Sequence, residues 1–107
     1  MTAQENPKVL EGSGNTFHVA GDLTIATATR ALAEARHIFT SPGEGTLLFD
    51  LGRLRECDSA ALSVLLEWKR RAVRLGRDLT YCNVPDRLLQ LAQIGELENL
   101  LGFEKAR

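Results

Sequence analysis

Six residues constrain this chain more than any others: Thr46-Leu47-Leu48-Phe49-Asp50-Leu51, a nearly continuous apolar run closed by Gly45 and Gly52. Such a run, apolar on both faces, fits a central strand with helices packed over it. A short loop is expected next, Arg53-Leu54-Arg55-Glu56-Cys57-Asp58, and then the strongest helix of the chain, over residues 59–75. In that helix Ala61, Leu65, Trp68, Ala72 and Leu75 make one apolar stripe, with Leu62, Leu66 and Val73 beside it. Ser63, Glu67, Arg70, Arg71 and Arg74 form its polar side. Glu67 precedes Arg71 by four residues, a favourable order, and Gly76 is placed as the C-cap. A further strand is expected over residues 79–84. A strand, a helix and a strand in this order favour a parallel pair covered by helices.

The remaining segments fit the same plan. Residues 1–7 are polar, end in a proline and are expected to be a flexible N-terminal tail. Lys8-Val9-Leu10-Glu11 and Thr16-Phe17-His18-Val19-Ala20 read as a hairpin around the turn-rich Gly12-Ser13-Gly14-Asn15, with Gly21-Asp22 breaking the second strand. From Thr24 the period changes. Ile25, Ala28, Leu32, Ala35 and Phe39 mark the buried stripe of a helix, Arg30, Glu34 and His37 its wet side, and Thr24 its N-cap. Ser41-Pro42-Gly43-Glu44-Gly45 stops it. Pro85 opens a short helix over residues 86–94 that buries Leu88, Leu89 and Leu91 and closes at Gly95. Leu97, Leu100, Leu101 and Phe103 supply a last helical turn or two. The predicted fold class is α/β: a single domain over residues 1–107, with a mixed, mainly parallel sheet of about four strands and helices packed over it.

Composition narrows the function. With 107 residues there is room for one domain. Lys and Arg number 13 against 14 for Asp and Glu, a net charge of -1 that argues against a nucleic-acid binder. No apolar run approaches a membrane span, and the first seven residues lack the basic start and apolar stretch of a signal peptide. A cytoplasmic protein is expected.

No residues make a recognisable catalytic set. His18 and His37 fall on a strand and a helix surface, away from any nucleophile-base arrangement, and neither a Gly-x-Ser-x-Gly nor a phosphate-loop lysine motif occurs. Gly43-Glu44-Gly45 begins like a dinucleotide fingerprint, but Leu48 stands at the third glycine position and the segment precedes a strand instead of following one. Cys57 and Cys82 form neither a disulfide framework nor a metal cluster. Cys57 lies beside the helix start at residue 59, where a dipole can lower a thiol pKa; the alternative is a small buried residue. The expectation is no enzyme, no cofactor and no metal.

The informative segment is Cys57-Asp58-Ser59-Ala60-Ala61-Leu62. Asp58 is a natural N-cap, its carboxylate aimed at first-turn amides, and Ser59 then opens the helix with an exposed hydroxyl. Capping alone accounts for Asp-Ser. The other reading is a small mixed surface of Asp58, Ser59, Leu62 and Ser63 that docks a partner helix, with Trp68 assigned to the core. A phosphate on Ser59 would meet a favourable helix N-terminus and a repulsive Asp58 carboxylate.

Residues 17–103 resemble a STAS domain, the module shared by anti-sigma factor antagonists and the cytoplasmic tails of sulfate transporters. The matching residues are Gly21-Asp22-Leu23-Thr24, the strand Leu47-Leu48-Phe49-Asp50-Leu51, and Asp58-Ser59-Ala60-Ala61-Leu62. In the antagonists the last motif reads Asp-Ser-Ser-Gly-Leu and its first serine is phosphorylated by a partner kinase. Ser59 occupies that position, while Ala60 and Ala61 replace the second serine and the glycine, and Thr24 stands where aspartate is usual. Within the family, Asp58-Ser59-Ala60-Ala61-Leu62 running into Leu65-Leu66-Glu67-Trp68 and Arg70-Arg71, then Val84-Pro85 and a leucine-rich ending, is similar to the MlaB branch. That resemblance implies a non-catalytic subunit bound to the cytoplasmic ATPase of a phospholipid-transporting ABC system, reaching the membrane only through that partner. The alternative it implies is an anti-sigma factor antagonist that binds an anti-sigma serine kinase and is phosphorylated on Ser59.

Overall fold

A computed structural model describes residues 4–103 of the chain. Its elements are β1 (Lys8–Glu11), β2 (Thr16–Leu23), α1 (Ala28–Glu34), α2 (Arg36–Thr40), β3 (Leu47–Cys57), α3 (Ala60–Arg74), β4 (Leu79–Cys82), α4 (Asp86–Ile94) and α5 (Glu98–Leu101). The sheet runs β1-β2-β3-β4. β1 pairs antiparallel with β2 as a hairpin, and β2–β3 and β3–β4 are parallel. The architecture is the mixed, mainly parallel α/β sheet that the sequence predicts.

Burial alternates along β3 and β4. Leu47, Phe49, Leu51, Leu79 and Tyr81 are buried, whereas Leu48, Asp50, Thr80 and Cys82 are half-buried. The expectation of a central strand covered on both faces is therefore corrected: one face carries the core. On the other, Asp50 sits in register with His18 and Cys82, and its carboxylate accepts from the Gly52 N–H at 2.8 Å and from Asn83 Nδ2 at 3.1 Å. A carboxylate held by two neutral donors keeps its charge in a polar surrounding, which a second apolar layer would not provide.

The single core closes around Phe49. Its ring meets Trp68 at 5.3 Å, Phe17 at 5.8 Å, Phe39 at 6.0 Å and Tyr81 at 6.1 Å between centroids, tilted or edge-on. Such pairs contribute about 0.5–1.5 kcal/mol each beyond the area they bury. Trp68 is fully buried, as its stripe predicts. The Tyr81 hydroxyl donates to the Leu65 carbonyl at 2.7 Å, which joins β4 to α3 inside the core. Burial raises that phenol well above its ordinary pKa, so it stays a donor.

Three local expectations give way. Gly21-Asp22 does not end β2, because Gly21 takes φ +89 at an irregularity in the register and the pairing continues to Leu23 opposite Cys57. Residues 53–57, expected as a loop, are the second half of β3: Arg53 and Leu54 pair with Ala20 and Gly21. The chain after β2 is a turn over residues 24–27, so the helix starts at Ala28 and Thr24 is not its cap. Thr27, which is buried, does the local work by accepting from the Thr24 N–H at 3.0 Å and donating to the Asp22 carbonyl at 2.7 Å.

Residues 5–7, expected as part of a flexible tail, are tied to β2. The Glu5 N–H donates to the Asp22 carboxylate at 2.8 Å, the Asp22 N–H returns a bond to the Glu5 carbonyl at 3.0 Å, and Pro7 is buried. The polar composition hid this, because the partner is Asp22, distant in sequence, and Gly21 makes room for the passing chain: a Cβ there would run into the Asn6 carbonyl. Residues 1–3 lie outside the described residues.

Candidate functional site

The start of α3 is built by one carboxylate. Asp58 Oδ1 accepts from the Ala60 N–H at 2.9 Å, which caps the helix, and Oδ2 accepts from the Ile25 N–H at 3.1 Å. The Asp58 N–H donates to the Leu23 carbonyl at 3.4 Å. Asp58 thus ties the turn after β2 to the first turn of α3, and both of its oxygens are committed to backbone amides. Asp58 caps the helix as the sequence reading expects, and Ser59 already has helical φ and ψ of -62° and -21°.

Ser59 has no such duty. It is exposed and makes no cap hydrogen bond. Ser63, one turn on, is exposed as well, while Leu62 is 8% exposed and gives its side chain mainly to the core. The structure therefore brings Asp58, Ser59, Leu62 and Ser63 together, but they divide into a brace (Asp58), a packed support (Leu62) and two presented hydroxyls (Ser59 and Ser63).

One surface residue is missed by the sequence reading. Ile25, assigned to a buried helical stripe, is 80% exposed on the turn that Asp58 holds. The signal was available in Thr24-Ile25-Ala26-Thr27, whose threonines compete with helix formation by bonding local backbone. Asp58 thus ties the turn that carries the exposed Ile25 to the helix start that presents Ser59.

Behind the patch, Asp22 braces the same end of the sheet. It is buried, and besides Glu5 its carboxylate accepts from the Glu56 N–H at 3.2 Å. The bond from the Glu5 amide is the largest of the influences that hold its carboxyl below the ordinary value, with burial opposing and the Glu56 amide and Arg55 assisting. Cys57 stands between these acids. Burial pushes its thiol up to about 11, and Asp58, Glu56 and Asp22 add to the rise. The helix dipole does not win here, so the thiol stays protonated near neutrality and the reactive-cysteine reading falls. Among the described residues no three His, Cys, Asp or Glu side chains stand close enough to hold one metal ion, and no helix is long and apolar enough to cross a membrane.

A four-stranded mixed sheet with its helices on one core, carrying a carboxylate-capped helix that presents a serine, defines a small α/β domain. The family model described as "Mlab, STAS domain" matches residues 9–102, so the chain belongs to that STAS family. The fold is similar to the solved anti-sigma factor antagonist SpoIIAA in its unphosphorylated form, at 15% identity and a TM-score of 0.71 over 94% of this chain and 88% of that one. It is also similar to part of the murine anion transporter Slc26a9 in its inward-facing state, at 12% identity and a TM-score of 0.69, and to a second SLC26A9 structure at 8% identity and 0.68. The chain covers 96% and 99% of its own length in those two matches but spans only 21% and 23% of the transporter chains. None of the curated proteins matches it.

Proposed function

We propose that this chain is a non-catalytic STAS subunit that binds the cytoplasmic ATPase of a phospholipid-transporting ABC system and supports its assembly or activity. The observation that carries the reading is the match to the MlaB-type STAS family over residues 9–102, with Ser59 exposed at the start of α3. Ser59, Ser63 and Ile25 form the contact, Asp58 and Leu62 hold it in place, and the protein sits in the cytoplasm at the inner membrane through its partner. Two short hydroxyls give register through hydrogen bonds, and Ile25 supplies an apolar anchor that excludes water.

A second reading rests on the same serine: an anti-sigma factor antagonist switched by a serine kinase. The exposed hydroxyl of Ser59, free of any cap bond, is available to such a kinase. A phosphate there would face Asp58, whose oxygens already serve two amides, and would disrupt a packed contact by bulk and desolvation.

Affinity purification of the tagged protein from native cytoplasm and membranes, with mass spectrometry, separates the two. The expected result is an ABC ATPase with its permease, lost from the Ser59→Glu variant. Recovery of an anti-sigma serine kinase instead overturns the transport reading.

A further inference from the structure

A groove opens far from Ser59 along the chain of α3, between that helix and the α1–α2 pair. It encloses about 480 Å³, within the usual range of small-ligand sites. Leu32, Phe39 and Leu75 give it an apolar lining, and Arg36, Arg71 and Arg74 line it with charge. No acidic residue belongs to the lining.

The charges are largely unspent. Glu67 pairs with Arg71 Nε at 3.0 Å and Arg70 at 2.9 Å, which leaves the terminal nitrogens of Arg71 open. Among the described residues Arg36 and Arg74 hold no carboxylate within ion-pair distance. Three guanidiniums converge beside an apolar trough. A guanidinium fork matches a carboxylate in two parallel bonds, and the trough matches a hydrocarbon chain.

We propose that this groove binds a single-chain anionic amphiphile, a fatty-acyl carboxylate whose head lies on Arg36, Arg71 and Arg74 and whose chain lies on Leu32, Phe39 and Leu75. The inference is independent of the partner reading at Ser59. An inorganic anion would leave the apolar trough unused, and a neutral or cationic chain would leave the arginines unmatched.

The test is calorimetric titration of the intact chain with decanoate below its micelle concentration, beside decyltrimethylammonium and inorganic phosphate. Decanoate is expected to bind saturably, and each of the other two at least about tenfold more weakly. The Arg36→Glu/Arg74→Glu double variant is expected to lose about tenfold or more in decanoate affinity, with an unchanged unfolding midpoint because both side chains are exposed. Ala33→Trp, which fills the groove with the arginines intact, is expected to weaken decanoate similarly. Unchanged affinity in both variants, phosphate binding as tightly as decanoate, or no saturation overturns the proposal. So does binding to phosphatidylglycerol vesicles or polyglutamate with decanoate inert, which makes the face a docking surface for a membrane or an acidic segment.

Discussion

The two ends of α3 are built on opposite principles. At its N-terminal end the carboxylates of Asp58 and Asp22 are consumed by backbone amides of Ala60, Ile25, Glu5 and Glu56. Ser59, Ser63 and Ile25 stay exposed at this end. At its C-terminal end Lys69 is tied to the Leu79 carbonyl at 2.7 Å, Arg70 and Arg71 share the carboxylate of Glu67, and Arg74 stands beside them without an ion pair among the described residues. The basic end agrees with the helix dipole, so surplus charge is tolerated there without a partner. The difference teaches that this helix has a braced end, where geometry is fixed and charge spent, and an unspent end, where charge is free and geometry is not fixed by it.

Substitutions can break that contrast, beginning with the largest effect. Gly21→Ala places a side chain at φ +89 and against the Asn6 carbonyl, so a loss of about 3 kcal/mol is expected in urea unfolding. A loss below about 1 kcal/mol would mean the Glu5–Pro7 segment yields easily and braces nothing. Asp22→Ala strands the Glu5 and Glu56 amides and is expected to cost about 2 kcal/mol.

Asp22 also gives the brace a pH dependence. Its folded carboxyl is held below its ordinary 3.8, so the stabilisation is fully present above that value and fades as pH falls through the lower folded value. Glu67, also held low, chiefly by its bond to Arg71, adds to the same acid limb. Acid titration of the unfolding midpoint is expected to show this fall, and Asp22→Asn is expected to flatten it. An equally steep limb in Asp22→Asn places the acid sensitivity elsewhere.

Asp58→Ala sharpens the contrast further: a loss of about 1–2 kcal/mol, with faster amide exchange at Ile25 and Ala60. At the other end, Arg74→Ala is expected to change stability by no more than about 0.5 kcal/mol, since it holds no ion pair. A larger loss there would erase the distinction between the ends.

Much of this was legible in the residues. The hairpin strand Lys8–Glu11, the helix Asp86–Ile94 and the long amphipathic α3 follow from local period and punctuation, and Asp58 announces its cap. The errors cluster where a long-range partner overrides a local signal. Gly21-Asp22 carries turn chemistry, yet the carboxylate is spent on Glu5 and Glu56 and the glycine admits the passing chain. Arg53, Arg55 and Glu56 look like a loop because that stretch of β3 has exposed side chains, and only pairing with β2 reveals the strand. Ile25 shares the period of the helical stripe but precedes the helix, which begins at Ala28.

Whether the braced end of α3 meets the ATPase is decided by titrating the ATPase recovered with the protein against the wild-type chain and Ser59→Glu. The account predicts affinity about 100-fold weaker for the variant, the size of a hot-spot loss, at an unchanged unfolding midpoint. Equal affinity of the two proteins would contradict it.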